Sequence, residues 1–223
     1  MDCSIAEEPS RDCGFCPRLA AFRAVNRATF PDWFNAPVPS FGDDGARLLI
    51  VGLAPGLRGA NRTGRPFTGD HAGILLYATL AKFGFASGAY AASPDDGLRL
   101  VDCAITNAVR CVPPANKPEP AEIKTCRQFL VQRIAVSPNL RAMVVLGRIA
   151  HETVLRALGL RLAAFPFAHG AIHVLPERRL AVFDSYHCSR YNTNTGTLTP
   201  EMFEAVFAHA RRYLDQISSS DVD

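Results

Sequence analysis

Four short apolar runs punctuate the chain: "RLLIVGL" at 47–53, "DCAITNAV" at 102–109, "RAMVVLG" at 141–147 and "LAVFDSYH" at 180–187. Each has strand length and is apolar without alternation, the pattern of strands buried on both faces of a parallel sheet. Between them the spacing becomes helical: "AGILLYATLAKFGF" from Ala72, "PAEIKTCRQFLVQRIAV" from Pro120, and "RIAHETVLRALG" from Arg148 to a C-terminal cap at Gly159. A last helix has Thr199 as N-cap and Pro200 as first helical residue. Phe203, Val206, Phe207, Ala210, Tyr213, Leu214 and Ile217 then form one apolar stripe. Strands alternating with helices predict an α/β fold, a three-layer α/β/α arrangement around a central, mainly four-stranded parallel sheet with right-handed crossovers. Residues 1–217 are expected to form one domain, with "SSSDVD" at 218–223 a frayed tail.

In such sheets ligands bind beyond the carboxyl ends of the strands. Three unusual segments fall there: "GLAPGLRGANRTGRPFTGD" at 52–70, "TNAVRCVPP" after the second run, and "SYHCSRYNTNTGTLT" after the fourth. The first is too rich in glycine and proline for a helix or strand and predicts a long loop.

Composition narrows the picture a little. Of 223 residues 48% are apolar, ample for a core, and a net charge of +3 permits a polyanionic partner without demanding one. No apolar stretch approaches the ~20 residues that span a bilayer, and the N-terminus has acids and cysteines where a signal peptide has a basic start and an apolar run. A cytoplasmic protein with no membrane partner is expected. Seven cysteines, an odd number, argue against a disulfide framework. Cys13 and Cys16 form a CxxC pair, Cys111 follows the second run, and Cys126 falls within a helix. Four thiolates suit zinc or an iron-sulfur cluster, and one close pair instead of two leans toward [4Fe-4S]. Cys3, Cys103 and Cys188 read as thiols packed as small hydrophobes.

Taken together, the 52–70 loop, "TNAVRCVPPANKP", "HCSRYNTNTGTLT" and the four cysteines resemble the family 5 (type b) uracil-DNA glycosylases, the iron-sulfur branch of that superfamily. The resemblance runs from Cys13 to about Pro200. It implies a monofunctional glycosylase that flips uracil, and other deaminated bases such as hypoxanthine, out of DNA and hydrolyses the N-glycosidic bond to leave an abasic site. It also implies a [4Fe-4S] cluster on Cys13, Cys16, Cys111 and Cys126, and a monomer.

Residue by residue, the resemblance gives Leu53, Ala54 and Pro55 backbone contacts to base and water. Phe67 stacks on the base, or else is a core side chain. Asn107 reads the base edge through its amide, a residue that otherwise suits a turn. His187 stabilises the negative charge of the departing base. Asp70 positions or activates water, although Asp before "HAGILL" is also a natural helix N-cap. Ser189, Arg190 and Tyr191 belong to the stretch expected to enter the DNA groove, with Arg190 and Tyr191 the candidate wedge. Arg58, Arg62, Arg65, Arg110 and Lys117 are candidates for phosphate contact. His71, His151, His169, His173 and His209 read as structural. Two departures stand out: Cys188 replaces the family's usual proline, and Gly56 stands where the branch often has alanine. Ala54, where many relatives carry an acid or amide, keeps open an alternative, a catalytically weak damaged-base or nucleic-acid-binding protein of the same fold. A zinc-stabilised domain whose glycine loop binds phosphate is the other alternative.

Overall fold

A computed structural model describes residues 8–220; Cys3 and the tail residues 221–223 lie outside them. In chain order the elements are α1 (Pro17–Thr29), β1 (Phe41–Gly42), β2 (Leu48–Gly52), α2 (Ala60–Thr63), α3 (His71–Lys82), β3 (Ala86–Ser87), β4 (Arg99–Leu100) and β5 (Cys103–Asn107). These are followed by α4 (Pro120–Ala135), β6 (Ala142–Leu146), α5 (Arg148–Ala157), β7 (Ile172–Leu175), β8 (Leu180–Ser185), α6 (Arg190–Asn194) and α7 (Pro200–Ser220).

The main sheet has six strands in the order β1-β5-β2-β6-β8-β7. Its four central strands are the four apolar runs, mutually parallel and buried at every position. The edge strands β1 and β7 are antiparallel additions to the four expected. The two faces of each central strand feed different cores. Leu48, Ile50, Val144 and Phe183 pack with Leu76 and Leu80 of α3 and Phe203, Phe207 and Leu214 of α7. Leu49, Val51, Val145 and Val182 face the other way, onto Leu130 of α4 and Val154 of α5. The result is the helix-sheet-helix sandwich that continuous strand hydrophobicity requires.

Two segments read as loops contain short helices, α2 inside the glycine-rich stretch and α6 after His187. Each has a local cause. Gly64 takes the left-handed conformation that ends α2, and Ser189 accepts a hydrogen bond from Asn192 N–H to start α6. The last helix starts at Pro200 as its sequence demands and continues through Ser220.

Candidate functional site

β2 and β5 run side by side with Gly52 opposite Asn107, so their following loops leave the sheet together. The end of β8 delivers a third loop to the same edge. Between them lies a cavity of about 390 Å³. Leu53, Ala54, Pro55 and Gly56 form one wall. Phe67, Asp70 and His71 come from the far end of that loop and the start of α3. Asn107 ends β5 and Asn116 lies beyond it, and His187, Ser189 and Arg190 follow β8. Phe67, Asn107 and His187, far apart in sequence, therefore share one space.

Phe67 is held under strain. Its φ of +53° is the left-handed region that bulky residues avoid, at a cost of roughly 1–3 kcal/mol. The surroundings impose it: Tyr77 Oη donates to Pro66 O at 2.6 Å, Tyr90 Oη donates to Phe67 O at 3.2 Å, and Gly69 N–H donates to Tyr90 Oη at 3.3 Å. Gly73, in the first turn of α3, is so close to the Phe67 carbonyl that a β-carbon would collide with it. The ring is thereby aimed at the cavity, its centroid 6.0 Å from the His187 imidazole and the planes 29° apart.

Behind this network sits Arg65, which the sequence suggested for phosphate contact. The structure assigns it a different place. Its guanidinium is buried, doubly bonded to Asp96 at 2.8 and 2.8 Å, and lies within 6 Å of the rings of Phe41, Tyr77 and Tyr90. The same correction applies to Arg110, fully buried and donating to Val38 O and Ser40 Oγ. Arg58, Arg62, Lys117 and Arg190 are exposed as expected, and Arg190 reaches the cavity. Tyr191 is 75% exposed beside it.

Asn107 is 3% exposed, and its Oδ1 accepts no hydrogen bond from the described residues. A buried acceptor left unpaired costs roughly 1–3 kcal/mol, so the free molecule holds an amide ready for a partner that enters the cavity. Burial pushes the His187 pKa down to about 4, which keeps the ring neutral near pH 7. Asn192 Nδ2 donates to the His187 carbonyl at 2.8 Å and ties the residue to the first turn of α6.

Asp70 is a helix cap that also faces the cavity. One carboxylate oxygen accepts from Gly73 N–H at 3.1 Å and caps α3, while the residue also lines the cavity. Burial raises its pKa, partly opposed by the Gly73 and Ala72 amides. Gly59 makes room for it, since a β-carbon there would stand 2.6 Å from Asp70 Oδ2. His71 and Asn116 were not singled out as site residues, yet both line the cavity. His71 Nε2 lies 3.0 Å from Thr193 Oγ1, joining the start of α3 to α6.

The four cysteines converge as well. Cys13, Cys16, Cys111 and Cys126 line one small cavity between α1 and α4, with Leu19 and Phe129 around them. Burial pushes the Cys111 thiol up to about 11 and Cys126 to about 12. Two N–H groups already point at sulfur: Arg23 Nη1 lies 3.5 Å from Cys111 Sγ, and Arg110 N lies 3.3 Å from Cys126 Sγ. Donors of this kind stabilise thiolates, so the set suits a soft metal centre. Cys103 and Cys188 are fully buried, as packing thiols should be. Cys188 donates weakly to Ala72 O at 3.5 Å, where a proline could offer no such contact.

Residues 39–211 match the family model described as the uracil DNA glycosylase superfamily. The chain belongs to that superfamily. The type-5 uracil-DNA glycosylase of Thermus thermophilus is 48% identical over 206 residues, covering 90% of this chain and 93% of the relative. That of Pyrobaculum aerophilum is 40% identical over 204 residues, 89% and 88% of the two chains. A type-4 enzyme from Archaeoglobus fulgidus is 32% identical over 154 residues, 67% of this chain and 69% of its own. The cavity that gathers Phe67, Asn107 and His187 thus sits in a superfamily of DNA glycosylases, and the match spans all three loops that build it.

Proposed function

We propose that this glycosylase extrudes a uracil nucleotide from DNA into the cavity and hydrolyses its N-glycosidic bond to leave an abasic site. The single observation that carries the reading is the convergence of Phe67, Asn107, Asp70 and His187 on one space.

In this reading the base lies against Phe67, a stacking contact worth ~1–3 kcal/mol. The Asn107 amide meets its Watson-Crick edge, and the walls at Leu53, Ala54 and Pro55 supply main-chain contacts. As the bond breaks, negative charge grows on a base oxygen, and the neutral His187 ring donates a hydrogen bond to it. A donor of this kind is worth ~10² to 10³ in rate. A neutral donor suits this site because its charged form is disfavoured by burial. Asp70 orients or deprotonates the water that attacks the sugar, and its charge favours the cation-like transition state. Arg58, Arg62, Arg190 and Lys117 contact phosphates, and Tyr191 with Arg190 enters the gap left by the base. The proposal extends to other deaminated bases such as hypoxanthine. The glycosylase acts as a monomer.

Cys13, Cys16, Cys111 and Cys126 would hold a [4Fe-4S] cluster. The cluster supplies a structural tie between the N-terminal segment and the loop after Asn107, because the hydrolysis transfers no electrons.

The deciding assay incubates the protein with a uracil-containing oligonucleotide and cleaves abasic sites with alkali. Strand scission is expected, and it should fall sharply in His187→Ala and Asn107→Ala. Tight binding without scission would instead make the chain a damaged-base binder, and wild-type rates in both variants would remove the site assignment.

A further inference from the structure

A second cluster of chemistry-bearing side chains lies outside this cavity. His151 of α5, His173 of β7 and Asp184 of β8 bring three ligand atoms within 4.8 Å of one another. His151 Nδ1 lies 2.7 Å from Asp184 Oδ1, and His173 Nε2 lies 3.0 Å from Asp184 Oδ2. The His151 and Asp184 side chains are 2% and 0% exposed, and that of His173 is 10% exposed.

The other nitrogen of His151 fixes the electronics. Nε2 lies 2.9 Å from the Phe165 carbonyl oxygen, which can only accept, so Nε2 carries a proton. A neutral His151 then presents the lone pair of Nδ1 directly to a carboxylate oxygen. Two acceptors at 2.7 Å repel unless a cation lies between or beside them. Protons could also satisfy these contacts, one on His151 Nδ1 and one on His173 Nε2, so what favours a metal is the ligand set and its surroundings. Two imidazoles and a carboxylate are a common ligand set for zinc and its first-row neighbours. Ligands at ~2.1 Å from one tetrahedral ion are about 3.4 Å apart, so the nitrogen-oxygen pairs at 2.7 and 3.0 Å need open by only a few tenths of an ångström to admit it. The outer partners are also in place. Phe165 O orients the His151 ring, and Ala168 N–H donates to Asp184 Oδ2 at 3.3 Å. The slight exposure of His173 gives the ion an entry and leaves a position for water.

We propose that His151, His173 and Asp184 form a binding site for a divalent transition-metal ion of the zinc class, separate from the four cysteines. The ion would tie α5 to the β7-β8 edge and to the loop around residues 165–170. That loop in turn supports the chain leading to His187, since Tyr186 N–H donates to His169 Nδ1 at 3.1 Å and the two rings stack 5.0 Å apart. The proposal does not depend on the glycosylase reading.

Equilibrium dialysis against Zn²⁺, with metal counted per chain, compares the wild type with Asp184→Asn and His173→Gln. All three retain the four cysteines, so these ligands cancel. One zinc ion fewer per chain in each variant is expected. Long-range ¹H–¹⁵N spectra of the wild type give a readout that survives a variant's failure to fold: zinc should shift His151 Nδ1 and His173 Nε2 while Nε2 of His151 keeps its proton. Equal zinc in variant and wild type, or a His151 ring protonated on both nitrogens at saturating zinc, would overturn the proposal.

Discussion

The α-carbon of Gly52 lies directly against the ring of Phe67: a β-carbon built on it would stand 2.6 Å from Phe67 Cζ and 2.5 Å from Asn107 Oδ1. The last residue of β2 is therefore the floor on which both cavity-facing groups rest. Gly52→Ala must push one of them into the cavity. Overpacking of this kind costs about 1–3 kcal/mol, and the open cavity lets the side chains, not the sheet, absorb it. Uracil excision should fall by about tenfold or more while the thermal midpoint drops only a few degrees, each 1.4 kcal/mol being a factor of ten. An unchanged rate would mean that Phe67 and Asn107 do not need these positions.

Asp70 both caps α3 and faces the cavity, and two substitutions separate the roles. Asparagine caps a helix about as well as aspartate but cannot take a proton, so Asp70→Asn should keep the melting temperature and lose ~10² to 10⁴ in excision rate. Asp70→Ala should lose the same activity and also about 0.5–2 kcal/mol of stability. Should Asp70→Asn retain the wild-type rate, the residue is a cap alone.

The titration of the site follows from burial. The Asp70 carboxyl is raised above its ordinary value of 3.8, so the acid limb of the excision profile should lie above that value and vanish in Asp70→Asn. His187 shifts the other way, from 6.5 to about 4. Between those values the unfolded chain binds a proton that the folded chain refuses, so stability should rise with pH across this window and be lost as pH falls through it, by at most about 3 kcal/mol. Melting curves of wild type and His187→Gln from pH 4 to 7 check this, because the variant should lack that slope.

The parts of the molecule legible in its sequence are those whose burial is complete. β2, β5, β6 and β8 are buried at every position, which leaves a continuous apolar run that no loop imitates. β7 exposes Ile172 and Val174, at 45% and 52%, and β1 is two residues long, so neither leaves a readable pattern. α1 is invisible for a different reason: of its buried residues Leu19, Arg23 and Asn26 only one is apolar, and the arginine serves the cysteine site. The three loops of the site were recognisable as motifs, but side-chain direction was not. Arg65 looked like a phosphate ligand because its partner Asp96 lies 31 residues on, in a segment that nothing local connects to it. His71 looked structural because only the fold sets α3 against α6.

Arg62 and Arg65, three residues apart, should respond to alanine in opposite ways. Arg62 is exposed, and its loss should leave the melting temperature unchanged. Binding to a uracil-containing duplex should weaken, and the slope of log affinity against log salt should decrease by about one, the signature of one lost phosphate contact. Arg65→Ala leaves Asp96 buried without its cation. Removing one partner of a buried ion pair costs about 3–5 kcal/mol, and here it also loosens the aromatic cage that holds Phe67 in its left-handed conformation. The variant should unfold at markedly lower denaturant, with a salt slope equal to wild type wherever it remains folded. If Arg65→Ala instead flattened the salt dependence at full stability, the buried guanidinium would have to swing out to DNA, and the frame behind Phe67 would be a switch.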